Sequence, residues 1–154
     1  LYLLEFVDRR GLEREIERLR NRTKSAIIPG STPIIKLVEI ELKQYFAGEL
    51  TQFTIPLFLL GSDFQKKVWG ELQKIPFGQT CAYVNIAQSI GKPQAFRAVA
   101  NANGVNQLAI IIPCHRVINA NGDIGGYGGG VSRKEWLINF ESKISSEKKY
   151  TICN

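Results

Sequence analysis

A cysteine and a histidine stand side by side in Ile110-Ile111-Ile112-Pro113-Cys114-His115-Arg116-Val117-Ile118, directly after an apolar run. The chemistry open to this pair is nucleophilic attack. The thiolate is the attacking species, a free cysteine has a pKa near ~8.5, and a neighbouring base or positive charge makes the thiolate easier to reach. His115, the only histidine of the chain, and Arg116 bring one of each. Three β-branched residues in succession read as a buried strand, which Pro113 ends by removing a backbone donor, so Cys114 is expected where the chain leaves the core. Taken alone, Pro-Cys-His also fits a buried structural cysteine, because free cysteine is commonly buried.

Two further patterns flank the pair. Gly125-Gly126-Tyr127-Gly128-Gly129-Gly130 lets backbone approach a ligand closely, or is a plain loop. It lacks the spacing and the terminal Gly-Lys-Ser/Thr of a phosphate-binding loop, which argues against nucleoside triphosphate binding. Upstream, residues 83–90 carry apolar side chains at helical spacing, Gly91-Lys92-Pro93 makes a turn, and a second helix is expected from about Gln94 through Ala100. That spacing fits a helix-turn-helix or two ordinary core helices. The second helix is rich in alanine (Ala95, Ala98, Ala100, Ala102), small enough for close approach to a partner, and Arg97 is its one charged residue.

Read in order, Phe64-Gln65-Lys66-Lys67-Val68-Trp69, Ile75-Pro76-Phe77-Gly78, Tyr83, Arg97-Ala98-Val99, Asn106, Pro113-Cys114-His115-Arg116-Val117, Gly126-Tyr127-Gly128-Gly129-Gly130 and Lys134-Glu135-Trp136-Leu137 resemble the C-terminal domain of the O6-alkylguanine-DNA alkyltransferases. The resemblance runs from Phe64 to Glu141. It implies direct damage reversal in double-stranded DNA: an O6-alkylguanine (or O4-alkylthymine) is flipped out and its alkyl group passes irreversibly to Cys114, with one turnover per molecule and no cofactor or metal.

The same resemblance implies roles. His115 acts as base through a bridging water and Glu141 orients its ring. Arg97 fills the place of the flipped base, and Tyr83 presses on the phosphate backbone while its phenol bonds the base; a phosphate-contacting Arg97 and a core Tyr83 are the plainer alternatives. Ala95, Ala98 and Arg116 are expected at the DNA, and Asn106 supports the turn before Cys114. Tyr127, Gly128 and Val117 are expected around the base pocket. Gly128 stands where some relatives have serine, which widens the pocket or removes a hydrogen bond to O6. Two other classes compete: a cysteine hydrolase, for which no protease signature is found, and a lesion-binding module without repair, in which the nucleophile position is typically not cysteine.

Composition sets the frame. At 154 residues with 44% hydrophobic content, the chain can bury one good core or two small ones. No apolar run reaches the roughly 18 residues of a membrane span, and Leu1-Tyr2-Leu3-Leu4 followed by Glu5 has no signal-peptide pattern. A cytoplasmic monomer without a membrane partner is expected. Three cysteines (Cys81, Cys114, Cys153) with no Cys-x-x-Cys argue against a disulfide framework and a zinc site, and the family resemblance, in which Cys81 and Cys153 match no functional position, implies that these two are bystanders. The net charge of +6 is uneven: residues 1–60 carry 9 Lys and Arg against 8 Asp and Glu (+1), and residues 61–154 carry 11 against 6 (+5). Basic excess beside a helix-turn-helix would neutralise DNA phosphates. Methionine is absent even at position 1, which implies a start inside a longer product. Relatives occur both free-standing and behind a regulatory zinc domain, and the sequence leaves that choice open.

The elements that must position these residues read as an α/β (α+β) chain. Residues 1–60 are expected as a small α/β domain: a strand at residues 2–7, a charged helix over residues 11–22 with Leu12, Ile16 and Leu19 on one face, a helix opened by Pro33 and capped by Ser31 or Thr32 that stops before Gly48, and a strand at residues 53–55. Residues 61–145 are expected as a mainly helical domain carrying the helix-turn-helix, begun by a capping box from Ser62 to Gln65. Residues 146–154 read as a polar tail.

Overall fold

The computed structural model describes the backbone of residues 1–151 and the side chains of residues 1–147. Six helices account for most of it: α1 (Leu12–Thr23), α2 (Pro33–Phe46), α3 (Asp63–Leu72), α4 (Tyr83–Ser89), α5 (Phe96–Gly104) and α6 (Val131–Thr151). Their ends follow local chemistry. Thr32 Oγ1 accepts from Ile35 N ahead of Pro33, and the Ser62–Gln65 capping box is closed in both directions (3.2 and 2.8 Å). On α6, Lys134, Leu137 and Glu141 are buried at helical spacing, which turns one face of this helix inward. No glycine or proline interrupts residues 131–151, so the helix continues to Thr151 through the stretch expected as a polar tail. Residues 152–154 of that tail, and with them Cys153, lie outside the described residues.

The fold is mixed α and β, mostly helical. Its one sheet among the described residues is a two-stranded parallel pair, β1 (Cys81–Ala82) with β2 (Val117–Ile118), in register Cys81↔Val117. The strands expected in the first sixty residues do not form. The segment at residues 2–7 makes a single parallel bridge, Leu4 to Leu108, and residues 53–55 are irregular. Both segments still pack: Leu4, Phe53, Ile55 and Leu57 join the core beside residues of the second half.

The Ile110-Ile111-Ile112 run is also not a strand. It is a buried series of turns, with Ile112 N bonded to Leu108 O (2.9 Å), Ile111 N to Ala109 O (2.8 Å) and Ile110 at φ 69°. The three side chains enter three different apolar clusters. Ile110 meets Tyr45 and Leu137, Ile111 meets Val38 and Ile55, and Ile112 meets Val68, Trp69 and Leu72. A strand alternates between only two faces, so it cannot serve three directions in consecutive residues. The left-handed backbone at a β-branched residue is strained and persists because packing on all sides over-determines it.

No helix among the described residues is long and apolar enough to cross a membrane. Helices α3, α4 and α5 pack on one another around Val68, Trp69, Leu72, Ile86, Ala87, Val99 and Ala102, with Trp69 Nε1 donating to Ala102 O at 2.9 Å. Burying these side chains fixes α5 rigidly against the turn that leads to Cys114.

Candidate active site

Cys114 opens a 3₁₀ turn (Cys114–Arg116) between the isoleucine turns and β2. Asn106, just past α5, builds the platform beneath it. Its Oδ1 accepts from Leu108 N (3.0 Å), and its Nδ2 reaches Ile112 O (3.0 Å), Leu108 O (3.3 Å) and Cys114 Sγ (3.1 Å). Two amide hydrogens are thus shared among three acceptors, and one of these is the sulfur. Asn103, on the last turn of α5, donates to Cys114 O (3.3 Å). Burial pushes the Cys114 thiol up to about 11, partly opposed by the Asn106 bond and by Lys134 and Arg9, while Glu5 adds to the rise. At neutral pH the resting sulfur is therefore a thiol that must lose its proton in order to attack.

Behind Cys114 lies a buried relay. His115 Nε2 is 2.8 Å from Glu141 Oε1, and both side chains are essentially inaccessible. Arg116 donates from Nε to Glu141 Oε2 (2.8 Å) and from Nη2 to Oε1 (3.0 Å), and its Nη1 caps Ile75 O (2.7 Å). Tyr45 OH (2.6 Å) and Gly78 N (3.1 Å) complete the shell of Glu141. Burial by itself would raise the Glu141 carboxyl, but the bonds from His115 and Arg116 and their charges hold it down to about 2. The two-pronged Arg116 contact keeps Glu141 ionised in either state of His115.

An ionised carboxylate only accepts, so His115 carries its hydrogen on Nε2. Burial lowers the His115 pKa against the opposing pull of Glu141, which keeps the ring neutral. Its Nδ1 is buried without a partner among the described residues and is the basic site of the ring. Gly78 is required here by geometry: at φ 77° an added Cβ would stand 2.6 Å from Ser145 Cβ on α6.

In front of Cys114 is a cavity of about 390 Å³ lined by Tyr83, Asn103, Asn106, Tyr127, Gly128 and, from the N-terminal segment, Glu5 and Arg9. Burial raises the phenols of Tyr83 and Tyr127, so both are neutral donors, and Tyr127 OH is buried without a partner among the described residues. Lys134 is fully buried, donates to Gly126 O (3.3 Å) and lies 6.0 Å from the Tyr83 ring centre. Burial brings its pKa down to about 8, although the neighbouring Cys114 sulfur favours the charged form.

Of the residues expected from sequence, Cys114, His115, Glu141, Asn106, Tyr83, Tyr127 and Gly128 converge. Arg97 and Ala98 are exposed on α5, and Ala95 is half-buried in the short 3₁₀ turn before it, outside the cavity. Two expectations are corrected. Arg116 is buried, with its guanidinium held by Glu141 and Ile75, so it is not a surface residue available to phosphate. Val117 is fully buried in the main apolar cluster and does not line the cavity. The structure adds Tyr45, Lys134, Glu5 and Arg9 to the site. Lys134 stands in a motif that could have suggested it, whereas the other three come from segments with no local signal of chemistry. Among the described residues no group of three or more His, Cys, Asp or Glu side chains could hold a metal ion, and Cys81 is half-buried in β1.

Residues 63–143 match the family described as 6-O-methylguanine DNA methyltransferase, DNA binding domain, which covers more than half of the chain. The chain belongs to that family. The methylated-DNA–protein-cysteine methyltransferase of Mycolicibacterium paratuberculosis is 55% identical over 105 residues, 68% of this chain and 64% of the relative. The chain therefore spans less than two thirds of that relative's length. A probable methylated-DNA–protein-cysteine methyltransferase of Acanthamoeba polyphaga mimivirus is 52% identical over 103 residues, 66% of this chain and 68% of the relative. Among solved structures, Mycobacterium tuberculosis OGT in complex with DNA superposes with a TM-score of 0.70 at 51% identity, covering 71% of this chain and 67% of that one. The O6-methylguanine-DNA methyltransferase of Pyrococcus kodakaraensis also gives 0.70, at 27% identity over 90% of this chain and 84% of its own. The family members thus share both the segment that carries Cys114 and the arrangement of helices around it.

Proposed function

We propose that this protein repairs alkylated double-stranded DNA by moving the alkyl group from O6 of guanine, or O4 of thymine, onto Cys114 Sγ, once per molecule. The observation that carries this reading is the thiol of Cys114 at the base of a 390 Å³ cavity, held from below by Asn106 and backed by His115 and Glu141. A volume of that size lies in the range of small-molecule sites, about 300–1,000 Å³, and accommodates one extruded base. The target atom is inside a stacked duplex, so the nucleotide must rotate out first, at a cost of a few kcal/mol. Exposed Arg97 on an alanine-rich helix supports the role of stack filler, and the +5 charge of residues 61–154 supports attraction to phosphates.

In the chemical step the thiol proton passes through a bridging water to the basic Nδ1 of His115, whose cation Glu141 then stabilises. The Sγ–C bond forms in line as the C–O6 bond breaks, and the electron pair of that bond stays on the base. A thioether has no facile leaving chemistry, so the protein is spent. Residues 61–145 are the DNA-binding and transfer unit in this reading, residues 1–60 buttress it, and a cytoplasmic monomer without cofactor suits a thiol that must stay reduced.

The test is incubation of the protein with duplex DNA carrying radiolabelled O6-methylguanine, followed by peptide mapping. Label on the Cys114 peptide, at no more than one per molecule, is expected. Label on another residue, or repeated turnover, would overturn the reading.

A further inference from the structure

The wall of the cavity in front of Cys114 holds an arginine that no part of the expected chemistry uses. Arg9 lies in the segment ahead of α1, with a side chain only 9% exposed. It pairs with Glu5, donates from Nη1 to Asn106 O (3.1 Å) and donates from Nη2 to Gly104 O (3.1 Å). The guanidinium is thus tied to the end of α5 and to the residue that holds the reactive sulfur. A guanidinium has five N–H donors. Glu5, Asn106 and Gly104 use three of these, and the Nε hydrogen and one on Nη2 have no partner among the described residues.

Gly128 explains where those donors are. A Cβ placed on Gly128 would stand 3.2 Å from Arg9 Cζ and Nε and 3.3 Å from Nη2, so Arg9 fills the space that a side chain at position 128 would take. Both residues line the cavity in front of Cys114. We propose that Arg9 acts in place of a side chain at position 128, as the specificity-determining residue of the pocket. Its free donors receive the oxygen edge of the flipped base, and its pinned plane limits the size of the alkyl group beside Cys114. This inference rests on the alkyl-transfer reading. It follows that small adducts are preferred, since a bulky group must displace a side chain anchored to three acceptors.

The experiment compares second-order rates on duplex O6-methylguanine and on free O6-benzylguanine. Arg9→Ala removes donors and opens the wall, so the methyl rate should fall about tenfold, as for a lost hydrogen bond to a charged group, while the benzyl rate holds or rises. Adding Gly128→Ser to Arg9→Ala puts a hydroxyl in the vacated space and should restore the methyl rate. Gly128→Ala in the otherwise unchanged chain pushes the guanidinium aside by a few tenths of an ångström with every residue of the N-terminal segment kept, and should shift the benzyl-to-methyl ratio in the same direction even if Arg9→Ala folds poorly. An equal fall on both substrates would mean that Arg9 only supports Asn106, and an unchanged ratio in Gly128→Ala would likewise overturn the inference. Labelling of wild-type Cys114 is followed alongside: its absence sinks the repair reading, whereas labelled wild type with an unchanged ratio sinks the Arg9 role alone.

Discussion

Replacing Glu141 by glutamine tests the buried relay most directly, because one carboxylate accepts from five donors: His115 Nε2, Arg116 Nε and Nη2, Tyr45 OH and Gly78 N. Glutamine keeps the shape but carries no charge, and its NH₂ faces groups that are themselves donors. Arg116 would remain in the interior as a cation without a counter-charge, and breaking a buried pair in this way costs about 3–5 kcal/mol. The titration of Glu141 gives a similar figure. A fall from an ordinary 4.5 to about 2 corresponds to roughly 3 kcal/mol. For a chain of 154 residues, each kcal/mol moves Tm by about 2–4 °C, so a loss of roughly 6–20 °C is expected. The sign with pH is definite. A depressed carboxyl contributes above its unfolded pKa and loses that contribution as pH falls through the folded value. The stability gap between wild type and Glu141→Gln should therefore be full at pH 7 and shrink between about pH 4.5 and 2. Thermal and urea unfolding across that range is the assay. A Tm within about 2 °C of wild type at pH 7 would refute the view that Glu141 holds the buried cation.

Three more outcomes are expected. The Cys114 thiol, raised to about 11 by burial, should react with a small neutral alkylating reagent at a rate that climbs through pH 9 and 10; a plateau below pH 8 would mean a preformed thiolate. Gly78→Ala must tolerate φ 77° and a 2.6 Å approach to Ser145 Cβ, so a loss of about 1–3 kcal/mol is expected in urea unfolding, and unchanged stability would show that α6 gives way freely. Arg97→Ala should slow repair of duplex DNA far more than reaction with free O6-benzylguanine and lower the salt slope of binding by no more than about one phosphate contact; equal losses on both substrates would assign Arg97 to the pocket and not to base extrusion.

Some of this protein was legible residue by residue. The capping box at Ser62, the Thr32-Pro33 start of α2 and the apolar spacing of α3 and α4 are short-range signals, decided within one or two turns by atoms that the sequence places next to each other. Cys114 with His115, and the distant Glu141 through the family pattern, could be named from sequence because the chemistry demands those residue types and little else serves.

Tertiary structure decided the rest. Ile110 to Ile112 have the composition of a strand, yet three surfaces converge on them and turn the backbone on itself. Arg116 looks like one more charge in a basic half, and only its meeting with a carboxylate 25 residues away makes it an interior counter-ion. The run after Ser142 is polar enough to be a tail, yet nothing in it stops the helix that begins at Val131. Tyr45, Glu5 and Arg9 come from a stretch with no chemical motif; Arg9 and Tyr45 bond to the site across 97 and 96 residues, and Glu5 lines its cavity. Local preference acts between neighbours in the chain, whereas burial pairs whichever groups the fold brings together, and the neutral thiol, the ionised carboxylate and the narrowed pocket wall all follow from that second kind of contact.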